Sequence, residues 1–85
     1  MNSRCTREFW RLYHALPSDI RRLADKQYRF WRDDHWHPSL HFKKVKSYWV
    51  ARVSEDYRAV GIEVDGTVVW FWIGPHDEYE RMLHC

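Results

Sequence analysis

The sequence predicts an α+β domain in which two N-terminal helices pack on one face of a small antiparallel sheet of about four strands, followed by a short C-terminal helix. Apolar residues recur at helical spacing as far as Trp31, and from Leu40 onward the pattern changes to short β-rich runs. Asp65-Gly66 separates two of those runs with the strongest short hairpin signal available. Residues 1–85 are expected to form one domain, because domains usually fall between roughly 50 and 250 residues.

The first helix is read from Phe9, Leu12, Tyr13 and Leu16, which lie at i, i+3, i+4 and i+7. It is expected to end near Leu16. Pro17, whose φ suits a first helical turn, opens a second helix, and Asp19 sets negative charge at the positive end of its dipole. Ile20, Leu23, Ala24, Tyr28 and Trp31 form its apolar face, with Arg21, Arg22, Asp25, Lys26 and Arg29 elsewhere around it. Asp33, Asp34 and His37, which precedes Pro38, end it. Strands are then expected over residues 40–46, Tyr48–Ser54, Tyr57–Val64 and 67–73. In the second, Trp49, Ala51 and Val53 face one way, and Tyr48, Val50, Arg52 and Ser54 the other. The last is apolar on both faces, as a central strand should be. Gly74-Pro75 stops it, and residues 76–83 read as a short terminal helix or turn.

Six Trp, five Tyr and four Phe are a heavy aromatic load for 85 residues. Each buried ring removes about 150–250 Å² from water, so a few can hold a small sheet without disulfides. Cys5 and Cys85 lie at opposite ends without a motif spacing and are expected to be free thiols. Arg4, Arg7, Glu8 and Arg11 punctuate the first residues, and no apolar run is long enough to span a membrane. The expected location is therefore cytoplasmic, with no membrane partner. The net charge is only +2, but its placement is uneven: Lys43, Lys44, Lys46, Arg52 and Arg58 stand against Glu55 and Asp56, whereas Arg81 alone stands against five acids after Arg58. Clustered cations of this kind suit nucleic-acid phosphates, although a solvated strand carries ordinary lysines too.

Three segments taken together resemble a known family. They are His37-Pro38-Ser39-Leu40-His41-Phe42-Lys43-Lys44-Val45, then Tyr48-Trp49-Val50-Ala51-Arg52-Val53 continuing to Tyr57-Arg58-Ala59-Val60, and Trp70-Phe71-Trp72-Ile73-Gly74-Pro75-His76-Asp77-Glu78-Tyr79. The set resembles the RelE/ParE toxins of type II toxin-antitoxin systems, and the His37-Pro38 and Gly74-to-His76 segments are similar to those of YafQ-type members. Leu16-Pro17 followed by Ile20 fits the family's helical hairpin. Members usually open with an edge strand, which here only residues 2–6 could supply.

The resemblance implies a RelE-like fold, a cognate antitoxin as partner, and an mRNA interferase that inhibits translation by cutting messenger RNA on the ribosome. Such an endoribonuclease needs neither metal nor cofactor: the RNA's own 2′-hydroxyl attacks the adjacent phosphate, helped by a base, an acid and cations. Histidine, with an ordinary pKa of about 6.5, suits acid-base work near neutrality. The resemblance makes His76 general acid or base and matches His37 to a family histidine; His41 lies further along that segment. Lys43, Lys44 and Lys46 would hold RNA phosphates, and Arg52 and Arg58 would offer bidentate donors to the reacting phosphate. Asp77 would orient His76, and Tyr79 would stack on a base or help in proton transfer.

The same fold serves another function in ParE-type members, which poison DNA gyrase and cut no RNA, so fold alone cannot choose between them. The histidines favour the nuclease. His35, His37 and His41 lack a nearby cysteine as a fourth ligand, so no metal site is expected. The Trp70-Phe71-Trp72 run reads as core rather than a base-stacking platform. Trp31 and Trp36, which flank an acidic pair, are left unassigned.

Overall fold

The computed structural model describes residues 1–84; the expected free thiol of Cys85 lies outside them, and Cys5 is free. A strand comes first: β1 spans Asn2–Cys5, ahead of α1 (Arg7–His14) and α2 (Ser18–Asp33). A 3₁₀ turn over Pro38–Leu40 leads into β2 (Lys43–Val45), β3 (Tyr48–Ser54), β4 (Tyr57–Val64) and β5 (Thr67–Pro75), and α3 (His76–His84) closes the described chain. The sheet has five strands in the order β1-β5-β4-β3-β2. β1 runs parallel to β5, and every other pairing is antiparallel.

The helices form where local signals agree. The Thr6 side chain accepts a hydrogen bond from Phe9 N at 3.1 Å and caps α1. Pro17 sits just before α2, and its carbonyl accepts from the Ile20 and Arg21 amides. Both helices cover one sheet face, where Phe9, Leu16, Trp31, Leu40, Phe42, Ala51, Val53, Val68, Trp70 and Ile73 are buried together. On the opposite face α3 lays Tyr79 and Leu83 against Val50 and Val60. Asp65 and Gly66 both take positive φ, at 50° and 80°, as the tight hairpin turn between β4 and β5 requires.

Several expectations are corrected. The sheet has five strands rather than about four, it is not wholly antiparallel, and a strand precedes the two helices. The two N-terminal helices do share one face, as expected, while α3 packs on the opposite one. The strand expected over 40–46 shrinks to three residues, since Leu40 ends the 3₁₀ turn and His41 is left-handed at φ 45°. Gly74-Pro75 does not stop β5; both pair with β4, opposite Arg58 and Tyr57. On α2, Leu23 and Tyr28 are exposed, and the inward stripe is Ile20, Ala24, Gln27 and Trp31. Gln27 belongs there because its amide donates to Ser39 O at 3.1 Å and Arg52 O at 2.9 Å, joining α2 to the 3₁₀ turn and β3.

A register shift between Val60 and Gly61 sets Trp70 opposite Gly61 and Trp72 opposite Val60. This bulge sends Trp70 to the helix-covered face and Trp72 to the α3 face. A side chain at 61 has no space: a Cβ there would lie 2.9 Å from Val69 O and 3.1 Å from Trp70.

Candidate functional site

Strand alternation gathers the cations on the α3 face. Arg52 pairs directly with Arg58 across β3 and β4, and Lys43 of β2 lies opposite Val50 of β3. Val50 and Val60 are in contact with α3, so Lys43, Arg52 and Arg58, which share their parity, face the same way. His76 starts α3 immediately after β5, and its amide donates to Asp56 O at 2.7 Å. That bond fixes the start of the helix against the β3–β4 turn. Tyr79 and Glu80 follow within one turn, on the side His76 presents. The result is a cleft of about 220 Å³ lined by His41, Lys43, Arg52, Arg58, His76, Tyr79 and Glu80, with Val45 and Val50 as its apolar part.

Arg58 is held in place by its own hydrogen bonds. One Arg58 nitrogen donates to the carbonyls of Ser54 at 2.6 Å, Tyr57 at 2.9 Å and Glu55 at 3.1 Å. Burial, and then the charge of Arg52, makes Arg58 hold its proton less tightly than an ordinary arginine. Two cations in register on one face repel, and an anion placed between them would relieve that repulsion. Burial first, and the Glu80 carboxylate second, push the Tyr79 phenol up, with Arg58 opposing. The phenol is therefore neutral near pH 7 and able to donate a proton or a hydrogen bond. His76 Nε2 lies 3.1 Å from Glu80 Oε1, an ion pair whenever the ring is protonated. The rings of His76 and Tyr79 are 5.5 Å apart.

Of the residues singled out from sequence, His41, Lys43, Arg52, Arg58, His76 and Tyr79 line this cleft. Four do not. His37 stacks on Phe30 at 4.3 Å between ring centroids, and its Nδ1 accepts from Ser39 N at 3.2 Å to cap the 3₁₀ turn. Lys44 points to the other face of β2, over the Trp49 ring. Lys46 Nζ donates to Leu83 O at 2.5 Å and ties the end of α3 to the β2–β3 turn. Asp77 is exposed, and its carboxylate accepts from Glu78 N. Glu80 was not foreseen, although its i+4 spacing from His76 would have marked it once α3 was taken as a helix. Among the described residues no group of three or more His, Cys, Asp or Glu is placed to hold a metal ion.

A larger groove of about 570 Å³ lies between α1, α2 and β1, lined by Phe9, Trp10, Tyr13, Tyr28 and Trp70 among others. Its one carboxylate, Asp25, accepts a hydrogen bond from Tyr13. It lacks the histidines and opposed arginines of the smaller cleft, which is therefore taken as the candidate site.

No family model and no curated protein matches the sequence. Solved structures do. A chain of the RelB-RelE antitoxin-toxin complex from Methanococcus jannaschii is 14% identical, with a TM-score of 0.73, covering 93% of this chain and 96% of its own. The YoeB/ParE toxin from Agrobacterium tumefaciens is 15% identical at a TM-score of 0.68, covering 89% and 99%. This is the RelE/ParE toxin fold. The isolated E. coli RelE toxin shares it at 13% identity and a TM-score of 0.63, over 98% of this chain and 95% of its own. Likeness at 13–15% identity fixes the RelE-like architecture; activity must be argued from the site.

Proposed function

We propose that the protein is the toxin of a toxin-antitoxin pair and a metal-independent endoribonuclease that inhibits translation by cutting messenger RNA on the ribosome. The observation that carries this reading is the convergence of His41, Lys43, Arg52, Arg58 and His76 on one cleft. In-line cleavage forms a bond between the 2′-oxygen and phosphorus and breaks the bond from phosphorus to the 5′-oxygen. The products are a 2′,3′-cyclic phosphate and a 5′-hydroxyl. One proton leaves the 2′-hydroxyl and another reaches the departing 5′-oxygen, so an acid and a base suffice. His76, oriented by Glu80, takes one role, and His41 or the neutral Tyr79 is placed for the other. Lys43, Arg52 and Arg58 stabilise the charge that builds on the phosphoryl oxygens, Arg58 from a guanidinium already fixed by three carbonyls. His37, Lys44, Lys46 and Asp77 act outside the cleft in this reading.

The partner is a cognate antitoxin, in keeping with the RelB-RelE complexes of Methanococcus jannaschii and Pyrococcus horikoshii among the similar structures. No helix among the described residues is long and apolar enough to cross a membrane, and a cytoplasmic site of action agrees with a ribosomal target. The test is transcript-end mapping after induction, beside a gyrase supercoiling assay. New ends that disappear in His76→Ala support the nuclease. Intact transcripts with trapped gyrase-DNA complexes would overturn it and make the same fold a gyrase poison.

A further inference from the structure

Between the end of α2 and the 3₁₀ turn, Trp36 is 58% exposed, the highest figure for any large apolar side chain among the described residues. Its amide donates to Asp34 Oδ1 at 3.0 Å, which fixes the bend that carries the indole outward. The ring has a rigid backing. Its centroid is 5.4 Å from Phe42 and 6.1 Å from Trp49, and Phe42 stacks on Trp49 at 4.5 Å with 13° between planes. Phe42 is itself core, edge-on to Trp31. The Lys44 ammonium stands 5.7 Å from the Trp49 ring. A solvent-facing indole backed by two further rings, with a cation over one of them, is thus built beside β2 on the side of the sheet that α1 and α2 cover.

The surroundings favour a polyanion. From His35 to Ser54 the chain carries four Lys or Arg, three His and no acid. Two carboxylates that approach in space are engaged, Asp34 by the Trp36 amide and Glu63 by Trp49 Nε1 at 3.2 Å. β2 is an edge strand. Lys43 faces the cleft and the next residue, Lys44, faces the aromatic ledge. A flexible strand lying in the cleft can therefore cross the edge of β2 by way of Lys43 and Lys44 and reach Trp36. An unpaired nucleobase supplies the flat face, and its phosphate supplies the charge that Lys44 would meet.

Resting on the RNA-cleavage reading above, we infer that Trp36, backed by Phe42 and Trp49 and flanked by Lys44, is a stacking platform for an unpaired base of the RNA strand just outside the cleft. The test uses a labelled hexaribonucleotide with 2′-O-methyl sugars, which lacks the attacking hydroxyl, and a dinucleotide of the same chemistry, both read by fluorescence anisotropy. Trp36→Ala weakens hexanucleotide binding about ten-fold or more, the loss expected for one stacked base. It leaves dinucleotide binding and the thermal midpoint unchanged, and Trp36→Phe keeps most of the affinity. Hexanucleotide affinity that survives Trp36→Ala but falls in Lys43→Ala or Arg52→Ala overturns the platform and spares the cleft. Equal losses for both oligonucleotides also overturn the platform. A hexanucleotide that the wild type does not bind overturns the platform and leaves the ribosomal cleavage reading to transcript-end mapping. Unchanged RNA affinity with release of a co-expressed partner protein would make the ledge a protein-docking surface instead.

Discussion

The two faces of the sheet differ in what they bury. Under α1 and α2 lies an aromatic core in which Trp31, Phe42 and Trp70 meet at centroid distances of 5.8–6.2 Å. Under α3 the buried cluster is Val50, Val60, Tyr79 and Leu83, with Val45, Tyr48, Phe71 and Trp72 half-buried around it, and the face also carries Lys43, Arg52, Arg58 and His76. One face supplies most of the apolar burial that holds the domain together. The other spends little area on packing and therefore has area free for charge. A small domain cannot do both on one surface, because a cation buried without a partner costs several kcal/mol.

That contrast can be broken at several points. The largest effect is expected on the helix-covered face, where Trp31→Ala should cost about 3–5 kcal/mol, a large share of a total stability of roughly 5–15 kcal/mol. Urea unfolding measures it, and a loss below 1 kcal/mol would show that this face is not the stabilising one. On the other face, His76→Ala should lower RNA cleavage about 10²–10⁴-fold and move the urea midpoint little. A parallel collapse of stability would mean that the faces are not separable. Gly61→Ala should cost about 1–3 kcal/mol, because the added methyl meets Val69 O and the Trp70 ring at the bulge on which both faces depend. Its test is whether unfolding and cleavage suffer together.

The smallest effect is on pH dependence, and each face contributes. Burial pushes the Cys5 thiol from 9.0 to about 11, and burial with Glu80 pushes the Tyr79 phenol up. Both folded-state values are raised, so the fold favours the neutral forms. The stability they contribute is present below the ordinary values and is lost as pH rises through the raised ones, over about pH 9 to 11 for Cys5. Urea midpoints measured against pH should fall across that window, with a shallower slope in Cys5→Ala on one face and in Tyr79→Phe on the other. A slope unchanged in both variants would remove these groups as its cause.

Much of this division was legible in the sequence. The runs Tyr48–Ser54 and Tyr57–Val64 match β3 and β4 in full, because each alternates between two buried faces and a hairpin fixes its register. From that alternation the sharing of one face by Val50 and Arg52 follows without coordinates. β1 was harder, since Asn2, Ser3 and Arg4 carry no apolar period and their partner strand is β5, far along the chain. The inward stripe of α2 was misplaced because Gln27 is polar, and only its two carbonyl partners, both distant in sequence, explain its place. For the site, His37 and His41 look alike as residues. The left-handed turn at His41 and the stacking of His37 on Phe30 separate them, and both are tertiary facts.

The parallel pairing of β1 with β5 has a consequence for synthesis. The first strand made must wait for nearly the last, because Asn2 is matched to Thr67 and Cys5 to Trp70. Until residues 67–75 have left the ribosome, the strand that separates β1 from β4 in the finished sheet is missing. His76 follows that strand directly. Completion of the sheet and arrival of the histidine are thus nearly one event, and on the cleavage reading proposed above an unfinished chain is inert towards the ribosome that is making it.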